Sequence, residues 1–119
     1  MLSNVRQFPD NPLNYALAKS LSQLQQDYTE RRPSTSKVYI VDDLLIYRSW
    51  GVLNKAELQL VEEDPEGARM VQELLEQQWN SLTPLVQARI QEHTGNRALG
   101  VSVSLNPEQD ELIILCRMV

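Results

Sequence analysis

The side chains able to do chemistry are few, and their spacing does not gather them. His93 is the single histidine, which excludes most histidine-based metal sites and leaves one candidate general base. It falls two residues before Gly95, in the expected last turn of a helix, where an imidazolium favours the negative end of the helix dipole. Cys116, the single cysteine, has no sequence-local histidine to take its proton and lies in an apolar run. An inert core thiol is expected there. Carboxylates cluster as Asp42-Asp43 and Glu62-Glu63-Asp64, but a hard cation asks for more oxygen ligands in a defined loop, and a turn and a helix cap account for both. The four glycines are scattered, so no phosphate-cradling loop forms. These residues predict no enzyme, no cofactor and no metal.

Arg31, Arg32, Lys37 and Arg48 form a local excess of cations in a chain of net charge −5. With Tyr39 and Trp50 they are the candidate partner- or anion-binding residues. The competing reading makes them solvated helix-end and strand-edge charges. Trp79, at helical spacing, reads as core, whereas Trp50 ends a strand and is compatible with either burial or exposure. The acidic balance argues against a non-specific nucleic-acid binder, which needs a basic footprint.

The elements that must position these groups are legible in order. Residues 1–10 are polar and irregular and are expected to form a flexible arm, followed by one domain over residues 11–119. Asn11-Pro12 has the form of an N-cap with proline at the first helical position. Leu13, Leu17, Leu21, Leu24 and Tyr28 mark an amphipathic helix that runs to about Arg31, before Pro33. Lys37–Val41 and Leu44–Trp50 read as a hairpin about Asp42-Asp43, with Val41 opposite Leu44, Tyr39 opposite Ile46 and Lys37 opposite Arg48.

Asn54 and Glu57 have capping-box spacing, with Leu53 and Leu58 at the staple positions, and a short helix should end near Glu63. Asp64-Pro65 then caps a long third helix. Its apolar stripe, Val71, Leu75, Trp79, Leu82, Val86 and Ile90, passes through Pro84, which predicts one kinked helix ended by Gly95. A second hairpin, Ala98–Leu105 and Glu111–Met118, closes the chain. Leu99, Val101, Val103 and Leu105 are expected to be buried on one side, and the doubly apolar Leu112–Cys116 should be a central strand. Helix, two strands, two helices and two strands predict an α+β fold, a four-stranded antiparallel sheet with three helices.

One cysteine and no leading apolar run fit a reducing cytoplasm, and nothing approaches the ~20 apolar residues of a membrane span. From about Tyr15 onward the chain resembles the bacterial MpsC-like family. The resemblance rests on LSQLQQDYTERRP, KVYIVDDLLIYRSWGVL, LVQARIQEHTG and the terminal strand pair. Where members usually carry a Gly-Arg-Gly-Pro turn, this chain has Glu30-Arg31-Arg32-Pro33. Where they often carry a histidine-containing stretch, it has Val101–Leu105. The resemblance implies a non-enzymatic cytoplasmic accessory protein of a membrane ion or inorganic-carbon transport system, peripheral to the membrane through its partner. A small-molecule or anion-sensing regulatory domain is the alternative. Both faces of the first hairpin are apolar, so a homodimer is expected to cover whichever face the helices leave open. The alternative is a three-layer monomer with helices on both faces.

Overall fold

The computed structural model describes residues 11–119; the arm expected over residues 1–10 lies outside them. Helix α1 spans Pro12–Thr29, with the Asn11 side chain accepting the Leu13 N–H and Pro12 inside the first turn. It stops two residues short of Arg31, because Glu30 turns left-handed at φ 59 and returns its N–H to the Gln26 carbonyl. Strands β1 (Thr35–Val41) and β2 (Leu44–Trp50) pair in the expected register, Val41 with Leu44, Tyr39 with Ile46 and Lys37 with Arg48. Asp42 takes φ 55 at the turn, a conformation that a short polar side chain tolerates better than most.

Helix α2 (Lys55–Glu63) opens with a complete capping box. Asn54 Oδ1 accepts the Glu57 N–H at 2.8 Å, and Glu57 Oε1 accepts the Asn54 N–H at 2.9 Å. Leu53 is buried, but Leu58, its expected staple partner, is 41% exposed. Asp64 separates α2 from α3 and caps α3 through the Glu66 N–H.

The long kinked third helix is in fact two, giving four α-helices among the described residues rather than three. Helix α3 (Pro65–Ser81) ends at Leu82, which leaves helical geometry at φ −96, ψ 2 and donates to the Trp79 carbonyl. Helix α4 (Thr83–Thr94) then starts afresh, placing Pro84 in its first turn, where a missing N–H leaves no bond unmade. The stripe that suggested continuity is real: Val71, Leu75, Trp79, Leu82, Val86 and Ile90 are all buried, on both sides of the break. Gly95 ends α4 in the left-handed region, as its position predicts.

Strands β3 (Ala98–Asn106) and β4 (Glu111–Met118) form the second hairpin through a 3-10 turn at Pro107–Gln109. The sheet is antiparallel in the order β1-β2-β4-β3, so β4 is central as expected. One expectation fails in β3. Leu99 lies on the opposite face from Val101, Val103 and Leu105, because an extra residue is inserted between Leu99 and Ser102, with Gly100 at φ 61. This is a bulge with glycine in the left-handed position, and it reverses the alternation at that point.

Helices α1, α3 and α4 all pack on one face of the sheet, against Val38, Leu45, Tyr47, Leu112, Ile114, Cys116 and Met118. The described residues therefore form two layers. Beneath α1 and α3 the core holds a small polar group: the Tyr47 hydroxyl donates to Gln25 Oε1 at 3.3 Å, and Trp79 stacks obliquely on Tyr47 at 6.2 Å. Burial pushes the Tyr47 phenol far above its ordinary value.

Candidate interaction surface

Among the described residues, no helix packs on the other face of the sheet. Alternation along the strands brings four rungs to it: Val41, Leu44, Arg117 and Leu99; Tyr39, Ile46, Leu115 and Ser102; Lys37, Arg48, Ile113 and Ser104; Thr35, Trp50, Glu111 and Asn106. The first two rungs are mostly apolar, and Val41, Leu99 and Leu115 are 38%, 39% and 38% exposed. Two shallow apolar dishes lie in this face, one bounded by Tyr39, Val41, Ile46 and Arg48, the other by Leu44, Leu99 and Leu115 beside the bulge. An apolar surface spread across four strands is more than scattered surface residues require.

Of the six residues the sequence nominates, this face gathers four. Lys37 and Arg48 are cross-strand partners, and Tyr39 and Trp50 flank Arg48. The Arg48 guanidinium lies over the Trp50 ring at 4.4 Å and near the Tyr39 ring at 5.9 Å. It also binds Glu111 Oε2, with Nε and Nη2 each at 2.7 Å. Stacking and a charge-assisted bond together fix the guanidinium flat against the face. Trp50 is thus neither core nor freely exposed; it is half-buried under Arg48.

Arg31 and Arg32 belong elsewhere. Arg31 leaves the end of α1 and forms a bidentate pair with Glu57 at 2.6 and 2.7 Å, also reaching Gln78 Oε1 and the Val52 carbonyl. Hydrogen bonds from Arg31 hold the Glu57 carboxyl below its usual range, helped by the Asn54 N–H and opposed by partial burial. Arg32 is exposed. The anion-binding cluster suggested by sequence proximity is therefore split, and two of its guanidiniums already face carboxylates.

Other residues that organise this end of the molecule gave little sequence signal. Asp110, at φ 50 after the 3-10 turn, accepts the Val52 and Leu53 N–H groups on Oδ1, and its carbonyl accepts the Gly51 N–H. Glu76 accepts the Leu105 N–H at 2.9 Å. Both link segments far apart in sequence, which a local pattern cannot show.

Among the described residues, no three His, Cys, Asp or Glu side chains come together as a metal ion would need. Cys116 is buried among apolar neighbours, and burial pushes its thiol up, away from the reactive thiolate. Among the same residues, no helix is long and apolar enough to cross a membrane.

Fold and surface together define a small α+β protein whose described residues form two layers and leave one sheet face uncovered. The chain belongs to the MpsC family, described as "Na+-translocating membrane potential-generating system (MpsC)", whose model matches residues 11–118. No curated protein and no solved structure matches it.

Proposed function

We propose that this protein is a non-enzymatic accessory protein of a membrane ion or dissolved-inorganic-carbon transport system. It acts from the cytoplasmic side as a homodimer joined through the open sheet face. Family membership supports the membrane system. The observation that carries the interaction role is the apolar face of Tyr39, Val41, Leu44, Ile46, Leu99 and Leu115, which no element of the described chain covers.

A second copy fits this face by charge as well as by apolarity. Lys37 and Arg48 lie at one end of the first hairpin, and the Asp42-Asp43 turn at the other. A two-fold axis lying in the contact plane and crossing the strands near the Tyr39–Ile46 rung places Lys37 and Arg48 of one copy over the partner's acidic turn. Tyr39 and Ile46 then meet at the centre, and two sheets packed this way align within about 30°. Neither Lys37 nor Asp42 has a salt-bridge partner among the described residues.

The anion-sensing alternative draws less support, since Arg31 and Arg48 are held by Glu57 and Glu111. The accessory role is tested by affinity recovery of the tagged protein from detergent-solubilised membranes of its host. Reproducible recovery of an integral membrane transport component is the expected result. Repeated recovery of none contradicts the reading.

A further inference from the structure

A second surface that no described residue covers lies on the helical side, remote in character from the sheet face. Helix α2 has no buried residue, although it carries Leu58, Leu60 and Val61. It is held in place by its capping box, by the Arg31–Glu57 pair, and by a close approach to α3 at Gly67, where a Cβ would stand 2.9 Å from the Leu60 carbonyl oxygen. Only Val61 of α2 packs against the core. Its remaining apolar surface joins that of α3 in a groove lined by Glu57, Leu60, Met70, Val71 and Leu74. Val71 is buried and forms the floor, while Leu60, Met70 and Leu74 are 46%, 61% and 47% exposed.

The charge around this groove is one-sided. Residues 55–76 hold seven carboxylates against the cations Lys55 and Arg69. That excess equals the net charge of the whole chain, so the rest of the protein is neutral. Helical spacing places Glu63 one turn from Leu60, and Glu66 and Glu73 one turn either side of Met70. Arg69 is taken up by Glu66 and Glu73, leaving Glu62, Glu63 and Asp64 without a cation among the described residues.

We infer that the α2–α3 groove binds a basic amphipathic helix of a partner protein, with the partner's apolar side chains over Val71 and its lysines or arginines against the acidic rim. A helix laid in an apolar groove is a recurrent recognition mode, and the rim selects its charge. The inference rests on the accessory reading only for the identity of the partner. Cytoplasmic segments next to membrane spans are rich in Lys and Arg, which is the chemistry the rim requires. The same carboxylates repel an anionic lipid surface.

The test uses purified full-length protein and a fluorescein-labelled 18-residue Leu/Lys amphipathic helix, followed by anisotropy. A Leu/Glu helix with the same apolar face and phosphatidylglycerol vesicles serve as the other ligands. Saturable binding of the Leu/Lys helix is expected, with Kd rising at least tenfold in the Met70→Glu/Leu74→Glu variant. Glu63→Gln, which leaves the apolar lining intact, should raise Kd several-fold, and the Leu/Glu helix should not bind. Unchanged thermal melting of each variant establishes that it is folded. No binding, equal binding of both helices, equal affinity in the Met70/Leu74 variant, or preferential binding of the vesicles overturns the inference. A change in oligomeric mass on introducing Met70→Glu/Leu74→Glu would assign the groove to a second copy and also overturn it. Membrane-component recovery separates the two readings. Recovery that survives Met70→Glu/Leu74→Glu undiminished sinks the groove and leaves the accessory role standing. Failure of recovery alongside selective peptide binding sinks the accessory role and leaves the groove.

Discussion

Arg31 and Glu57 form a two-pronged ion pair, 2.6 and 2.7 Å across, that ties the exit of α1 to the first turn of α2. Both side chains are only 12% exposed. Glu57 uses the same carboxylate to close its helix cap. Arg31→Gln strands that carboxylate and should lower stability by about 1–2 kcal/mol, less than a deeply buried pair because water reaches this one. A urea melt reads the loss as a lower midpoint at unchanged slope.

The same pair makes stability depend on pH. The folded protein holds Glu57 below its ordinary range, chiefly through the Arg31 hydrogen bonds. The stabilisation is therefore complete above the unfolded-state value and is lost as pH falls through the folded one. Melting temperature should fall more steeply with acid in the natural protein than in Glu57→Gln. Parallel curves would show that the pair contributes nothing to acid sensitivity.

Asn54→Ala removes the reciprocal cap of α2 and should cost about 1 kcal/mol. Because α2 buries no residue, the loss should appear first as faster amide exchange in Lys55–Glu63, ahead of global unfolding.

Glu30→Gly should stabilise the domain. Glu30 occupies the left-handed position that closes α1, and a non-glycine residue there bears a steric cost of about 1 kcal/mol. A rise in the urea midpoint is expected, and a fall would mean that the Glu30 side chain has an unrecognised role.

Much of this fold follows from local chemistry in the sequence. Asn11-Pro12, Asn54 with Glu57, Asp64-Pro65 and Gly95 each mark a helix end, because capping involves residues only a few positions apart. The first hairpin register follows from a two-residue turn between alternating apolar runs. What eluded the pattern depends on context. Pro84 permits either a kink or a restart, and the choice is made by Leu82 closing a tight turn on Trp79. The bulge at Gly100 hides in an unbroken alternation, so Leu99 emerges on the wrong side. The basic cluster is close in sequence yet divided in space, since Arg31 is captured by Glu57 and Arg48 by Glu111. The groove between α2 and α3 has no local sequence signal, because Leu60, Met70 and Leu74 come together only when one helix packs against the other.

The open sheet face gives a charge-swap prediction. Lys37→Glu should weaken the homodimer several-fold by opposing the partner's Asp42, and Lys37→Glu/Asp42→Lys should restore it, with the effect shrinking at high salt. Light scattering at micromolar concentration reads the outcome. A natural protein that runs at monomer mass would sink the dimer.

The most direct test of the accessory role is photo-crosslinking in living cells from single positions carrying a photoreactive residue. Ile46 reports the sheet face, Leu74 the groove, and Glu92, exposed on α4, serves as the control. A self-crosslink from Ile46 and a crosslink to an integral membrane transport component from Leu74, with neither from Glu92, is the predicted result. If no position captures a membrane component while the protein remains folded and abundant, the proposed accessory role is contradicted.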